Sequence, residues 1–274
     1  MPELPEVQTV VNQLRSELLG EKIESITPIW AKVFHDFTSS KINKSIAGKK
    51  ITDVNRRAKF IIIQFKENLV AIHLRMTGKL YIQPSVNPIP NYTSAYFTLE
   101  STKTLIFDDV RKFGRIYLYK NLANINKRHG PEPLDPSFTF ECFNPLLKKR
   151  KRNIKALLLD QSILAGLGNI YVDESLWASG IHPNSISNLI PEKKIKLLYQ
   201  NIKKILIEAI KKNGTTIIDF SVNGESGKYA NELKVYGRQI LDCMSCSNKI
   251  KKIRVASRGT YVCTRCQKKY KKIR

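Results

Sequence analysis

No stretch of this chain is apolar enough to cross a bilayer. Its longest apolar runs, such as Phe60-Ile61-Ile62-Ile63 and Ala156 to Leu159, fall far short of the roughly 20 residues a spanning helix needs. The N-terminus carries no apolar segment behind a basic flank, so no signal peptide and an intracellular location are expected. Acidic residues are scarce: 23 Asp and Glu stand against 47 Lys and Arg, a formal charge of +24. That excess suggests a polyanion partner, nucleic acid ahead of an acidic membrane surface, although a lysine-rich genome is another source of part of it. Disorder is excluded by an apolar fraction of 42% over 274 residues, a length that suits a sizeable core and two domains. Cysteines number only five. Four of them, Cys243, Cys246, Cys263 and Cys266, form two Cys-x2-Cys pairs sixteen residues apart, the spacing of one tetrahedral zinc rather than of disulfides. Cys142 is left over and is expected to be a buried free thiol.

Val7, Val10, Val11, Leu14 and Leu18 recur with helical period, and Gly20 can end that helix in a left-handed conformation. From about residue 23 to 119 the period becomes that of strands. Lys50 to Arg57, Phe60 to Phe65, Leu69 to Leu74, Ala95 to Leu99, Leu105 to Asp108 and Ile116 to Tyr119 are short runs rich in β-formers. Pro84, Pro88 and Pro90 mark a loop among them. The expected fold is α+β, an N-terminal β-sandwich with a flanking helix over 1–134. The proline-rich stretch 129–137 reads as a linker into a helical domain, 135–236, and a zinc finger over 237–274 closes the chain. Pro191 to Asn213 predicts a long amphipathic helix with Ile195, Leu198, Ile202, Ile205, Leu206, Ala209 and Ile210 inward. The basic run Lys148 to Arg152 reads as a solvated face, an import-like tract or a phosphate-facing edge. Gly224 to Lys228 lacks the glycine spacing and the following Ser or Thr of a phosphate loop, and that reading is rejected.

Met1 to Glu6 admits two readings. One is helix initiation, with proline in the first turn and acids at the positive end of the dipole. The other is chemical. Removal of Met1 frees the secondary amine of Pro2, which titrates near pH 8, roughly two units below lysine. A minority is then neutral and nucleophilic at pH 7, with Glu3 and Glu6 beside it to move protons. Elsewhere, Gly166 and Gly168 precede a helix starting at Asn169; the stretch is either an ordinary helical corner or a place of close backbone approach where the helix N–H groups suit a phosphate. Met76 and Arg111 with Phe113 lie on strand-to-strand turns. They are core residues or, if exposed, wedges that fill the hole left by an extruded nucleotide.

Seven motifs occur in order: "MPELPEV", "RRAKFI" (56–61), "HLRMTGKL" (73–80), "DVRKFGR" (109–115), "IKALLLDQ…AGLGNIYVDESL…GIHP" (154–183), "VYGR" (235–238) and "RGTYVCTRCQ" (258–267). Together, over residue 1 to about 268, they resemble formamidopyrimidine-DNA glycosylase, the bacterial repair enzyme for oxidised purines. The resemblance implies a β-sandwich, then a helix–two-turns–helix domain with a zinc finger, with duplex DNA held in the cleft between them and the damaged base flipped. It further implies a bifunctional enzyme, cytoplasmic and monomeric, that removes the base and then cleaves the abasic strand by β,δ-elimination. Pro2 then looks like the nucleophile that forms a Schiff base and Glu3 like its acid/base, with Glu6 in support and Lys59 on a phosphate near the lesion. Met76, Arg111 and Phe113 resemble void-filling residues, and Asn169 and Arg258 the pair gripping phosphates around the flipped nucleotide. His73, Lys155, Tyr236 and Arg238 take lesser DNA-binding roles. Zinc is implied as one structural ion on four thiolates. Ala58 and Ser257 depart from glycines usual in the family, and the stretch 224–233 is only loosely similar to it. Two rivals remain: an endonuclease VIII-like enzyme for oxidised pyrimidines, and a non-catalytic zinc-dependent DNA-binding protein.

Overall fold

A computed structural model describes residues 1–215, 221–222 and 225–272. Two compact units emerge, Met1–Lys127 with Lys212–Lys228, and Arg128–Lys211 with Tyr229–Arg274.

In the first unit α1 (Leu4–Leu18) is followed by β1 (Lys22–Pro28), α2 (Ser39–Ile46), β2 (Lys49–Lys50), β3 (Asp53–Arg57), β4 (Phe60–Gln64) and β5 (Leu69–His73). Next come β6 (Gly78–Pro84), β7 (Thr93–Leu99), β8 (Lys103–Asp109), β9 (Arg115–Tyr119) and α3 (Ala123–Asn126). A short hairpin, β10 (Ser221–Val222) with β11 (Glu225–Ser226), belongs to the later segment. The large strands form two antiparallel sheets, ordered β2-β1-β7-β8-β6 and β3-β4-β5-β9. Alternation sends Ile61, Ile63, Val70, Ile72 and Ile116 of one sheet into a common core with Ile23, Ile26, Phe97, Leu105 and Phe107 of the other. The expected helical positions of α1 complete that core, and Gly20 follows at φ +90°. The expected run 50–57 is broken between β2 and β3. Neither α2 nor the full length of β6 stands out by pattern. Only Ile42 and Ile46 of α2 are buried, and its place is set by the Asn43 side chain, which bonds the N–H and C=O of Ile26.

The second unit holds α4 (Phe140–Lys148), α5 (Ile154–Leu159), α6 (Asn169–Ala178), α7 (Glu192–Lys211), and the hairpin β12 (Lys251–Val255) with β13 (Arg258–Val262). The inward face of α7 is as expected, with Ile210 half-buried. The stretch 129–137 carries neither helix nor strand, but it is fastened down. The Gly130 N–H donates to Gln161 O, the Ala165 N–H to Pro131 O, and a Cβ on Gly130 would stand 2.6 Å from the Ile163 carbonyl. Cys142 is exposed, not buried: helical spacing turns Phe143 and Leu147 of α4 inward and leaves the thiol outside. In the basic run, Lys148 donates to Ile190 O at 2.7 Å, Arg150 to Leu146 O at 3.0 Å and Arg152 to Asp160 at 2.9 Å.

Ala256 and Ser257 link β12 to β13 with φ of 51° and 58°, the backbone of a type I′ turn. With no glycine at either position, two side-chain-bearing residues take a left-handed conformation, each at a cost of about 1–2 kcal/mol. Ser257→Gly is expected to slow amide exchange across this hairpin about fivefold, equivalent to about 1 kcal/mol; unchanged exchange would show the turn to be unstrained.

Candidate active site and nucleic-acid interface

Pro2 and Glu3 are buried ahead of α1, and Pro5 lies in its first turn. Glu6 is 2% exposed and both its oxygens are engaged: Oε2 accepts from the Glu3 N–H and Oε1 from the Thr215 N–H, each at 2.8 Å. The first bond fixes the backbone of Glu3; the second ties the 213–215 segment to the chain terminus. Gly214 makes the second possible, since its φ is +76° and a Cβ would lie 2.8 Å from Glu6 Oε1. Glu6 is thus placed as a brace. Lys59 sits 5% exposed in the β3–β4 turn, beside Ala58 at φ 53°. Arg56 anchors that turn, donating to Ala58 O at 2.9 Å and to Gln8 of α1 at 3.0 Å.

The turns at 74–77 and 110–114 are bound into one structure by Asp109, which is 0% exposed. It accepts from the Thr77 hydroxyl at 2.5 Å, the Arg111 N–H at 3.3 Å and the Gly114 N–H at 2.7 Å. A Cβ on Gly114 would lie 2.4 Å from the Phe107 ring. So braced, Met76 (42%) and Phe113 (47%) are exposed rather than in the core, and the Arg111 guanidinium lies 4.7 Å from the Phe113 ring centroid. On β5, His73 accepts from the Arg75 N–H and meets Phe60 edge-on at 4.8 Å.

In the second unit the uncapped N-terminus of α6 follows Gly168. Asn169 donates to Gly259 O at 3.0 Å and to the Tyr236 hydroxyl at 3.4 Å, so α6, the 236 region and the finger hairpin meet there. Tyr236 contacts Tyr261 at 4.9 Å, Arg238 is half-buried, and Arg258 is exposed. Lys155 is placed differently from the other candidates. It is 0% exposed, with Nζ donating to Asp173 at 2.6 Å and to the Thr260 hydroxyl at 2.8 Å, while the other Asp173 oxygen accepts from the Tyr261 N–H. It holds the β12–β13 hairpin from inside rather than presenting its ammonium to solvent. Burial raises the Asp173 pKa despite the ammonium beside it. Asp173→Asn would remove the carboxylate bonded to the buried Lys155 ammonium, at a cost of about 3–5 kcal/mol. A matching fall in urea resistance, followed by the fluorescence of Trp177 packed on the finger, is the expected result; an unchanged midpoint would show that the pair does not hold the hairpin.

The ligand atoms of Cys243, Cys246, Cys263 and Cys266 lie within 4.8 Å of one another, with Sγ pairs at 3.8 Å (243 and 266) and 3.4 Å (246 and 263). Tetrahedral bonds of about 2.3 Å place sulfurs nearly 4 Å apart, so the set fits one zinc with no open position for water.

Family models match the chain in three segments: the N-terminal domain of formamidopyrimidine-DNA glycosylase over residues 1–116, its H2TH domain over 129–221, and the zinc finger found in FPG and IleRS over 242–269. The formamidopyrimidine-DNA glycosylase of Protochlamydia amoebophila is 41% identical over 269 residues, covering 96% of this chain and 98% of its own. The chain belongs to the formamidopyrimidine-DNA glycosylase family. The Lactococcus lactis family member is likewise 41% identical over 269 residues, covering 95% of this chain and 97% of its own. Among solved structures, a Lactococcus lactis FPG (MutM) bound to DNA containing Fapy-dG has a TM-score of 0.90 at 38% identity, covering 97% of this chain and all of that one. MutM bound to DNA containing carbocyclic 8-oxo-G has a TM-score of 0.91 at 38% identity, covering 98% of this chain and all of that one.

Within this formamidopyrimidine-DNA glycosylase fold, the bracing acids Asp109, Asp173 and Glu174 and the Gly214-Thr215 contact were not singled out from sequence. Glu174, 3% exposed, accepts from the N–H groups of Lys234, Val235 and Tyr236, and burial raises its pKa. A signal existed: Asp173-Glu174 are acids in an otherwise apolar helix of a strongly basic chain. The stretch 224–233 lies partly outside the described residues.

Proposed function

We propose that this protein is a base-excision repair glycosylase that removes oxidised purines from duplex DNA and then cleaves the abasic strand. The observation that carries the reading is the buried Pro2-Glu3 terminus, with Glu3 pinned by Glu6, in a chain of this family. Once Met1 is removed, the Pro2 amine attacks C1′ and the purine departs with the electrons of its glycosidic bond. Glu3 protonates O4′, the sugar opens, and an iminium joins Pro2 to C1′. Loss of a C2′ proton expels the 3′ phosphate, and a second elimination expels the 5′ phosphate. Water then hydrolyses the imine and restores the amine. The covalent work falls to the amine, and a zinc on four thiolates has no open position for substrate.

Base extrusion costs a few kcal/mol, offset by Met76, Arg111 and Phe113 in the vacated space, with the Arg111 fork on the unpaired cytosine. Lys59, His73, Asn169, Tyr236, Arg238 and Arg258 are assigned to phosphates, and Lys155 to holding the Arg258 hairpin. The unit carrying Pro2 performs the chemistry; the helical unit and its finger grip the strand. The enzyme works in the cytoplasm with the nucleoid. Among the described residues no helix is long and apolar enough to cross a membrane. Single-turnover excision is expected to be faster on 8-oxoguanine opposite cytosine than on thymine glycol; the reverse order would favour the endonuclease VIII-like reading.

A further inference from the structure

Two widely separated basic tracts, Lys148 to Arg152 and Lys268 to Lys272, are drawn to one place by the segment that joins α6 to α7. On one side, the Ser187 N–H donates to Arg152 O at 2.8 Å, its hydroxyl donates to Arg150 O, and the Ile154 N–H donates to Ser185 O at 2.8 Å. On the other, the Lys268 N–H donates to Gly180 O and the His182 N–H to Lys268 O, both at 2.9 Å. The Ile186 N–H donates to Tyr270 O at 2.8 Å, and the Tyr270 N–H to the Ser185 hydroxyl at 3.1 Å. The C-terminal tract is therefore strapped down as far as Tyr270, beside the tract that precedes α5.

Lys149, Lys151, Arg152, Lys268, Lys269, Lys271 and Lys272 are all exposed. Of these only Arg152 has a carboxylate partner among the described residues, Asp160 at 2.9 Å. Lys269 is close enough to His182 to help hold its pKa down, after burial. Backbone bonds that tie two lysine-rich tracts to one segment, with few countercharges, raise the local positive potential, which a polyanion screens. Lys271 and Lys272 lie beyond residue 269, where the family's finger model ends. Asn169 begins the ten-residue α6 and the strapped segment follows its other end, about 15 Å along the axis and comparable to four base-pair steps.

We propose that this surface binds phosphates of the same duplex outside the pair gripped around Asn169 and Arg258, lengthening the footprint and holding the protein on undamaged DNA. The inference rests on the DNA-binding reading above, and its test keeps the two apart. The variant carries Lys149→Gln, Lys151→Gln, Lys269→Gln, Lys271→Gln and Lys272→Gln, with folding checked by thermal melting and zinc content. Binding to undamaged duplexes of about one and about three helical turns is measured as a function of salt. On the long duplex the slope of log K against log salt is expected to become shallower by about 0.9 for each phosphate that the variant no longer neutralises. Binding to the short duplex, and single-turnover excision from a short lesion duplex, are expected to match the wild type. Equal slopes for wild type and variant on the long duplex would overturn the proposal. So would an equal weakening on both lengths, which would place these lysines in the lesion grip. A wild-type protein that binds DNA but excises nothing would count against the glycosylase reading and leave this comparison intact.

Discussion

Protein that retains any residue ahead of Pro2 will give no borohydride-trapped complex with abasic-site DNA, whereas the processed protein will be trapped efficiently. The reason is electronic. An acylated proline nitrogen has its lone pair delocalised into the amide, while the free secondary amine titrates near pH 8 and is partly neutral at pH 7. Loss of a covalent nucleophile is expected to lower strand cleavage by at least about a thousandfold. Met1 is exposed while Pro2 and Glu3 behind it are buried, so a retained residue or tag leaves the terminus folded and removes only the free amine. The control is Glu3→Gln with a free Pro2, which keeps the nucleophile and removes the proton donor. Excision should fall by about 10²–10⁴ while the amine still condenses with a preformed abasic site. Efficient trapping of tagged protein would place the nucleophile elsewhere.

Removal of zinc, or replacement of Cys263 by Ser, is expected to unfold the finger and sharply weaken DNA binding while the N-terminal sandwich stays folded. Structural zinc on thiolates contributes about 10–16 kcal/mol of apparent folding free energy in small modules. Its buried apolar cluster is small: Val235, Cys243, Ile250 and Cys263, with Trp177, Cys246, Tyr261 and Cys266 at its edge, so the ligands make up much of that cluster. The β12–β13 hairpin carries Arg258 and supplies Gly259 O to Asn169, so both proposed phosphate contacts lose their frame when it melts. Among the described residues, the buried members of the sandwich core run from Val7 to Ile116, with Leu118 packed at its edge, and that core should keep its own melting transition. DNA affinity that survives chelation unchanged would remove the finger from the grip; simultaneous loss of the sandwich would contradict the separate cores.

Much of this was legible in the residues because the signals are local. A five-residue apolar recurrence dictates the inner face of α1, alternation dictates the strands, and two Cys-x2-Cys turns dictate one tetrahedral site. The N-terminal Pro2-Glu3 pair stands out as a candidate because an α-amine exists at only one point in a chain. Short elements were less legible: α2 has two buried residues and no periodicity to count, and β6 is extended because β8 pairs with it along its length. Cys142 went the other way from expectation, since a lone thiol carries no periodic information about the face it occupies.

By itself the sequence determined the proline-and-acid terminus, the zinc ligands, the excess of positive charge and the α+β order of elements, all set by composition or by spacing within a few residues. Only the tertiary structure decided that Met76 and Phe113 stand exposed, that Glu6 braces Thr215, that Lys155 faces Asp173 and Thr260 rather than solvent, and that two basic tracts are tied to one segment. Each of those depends on partners far away in the chain, and the penalty on a buried charge or an unpaired N–H is settled only where the fold brings those partners together.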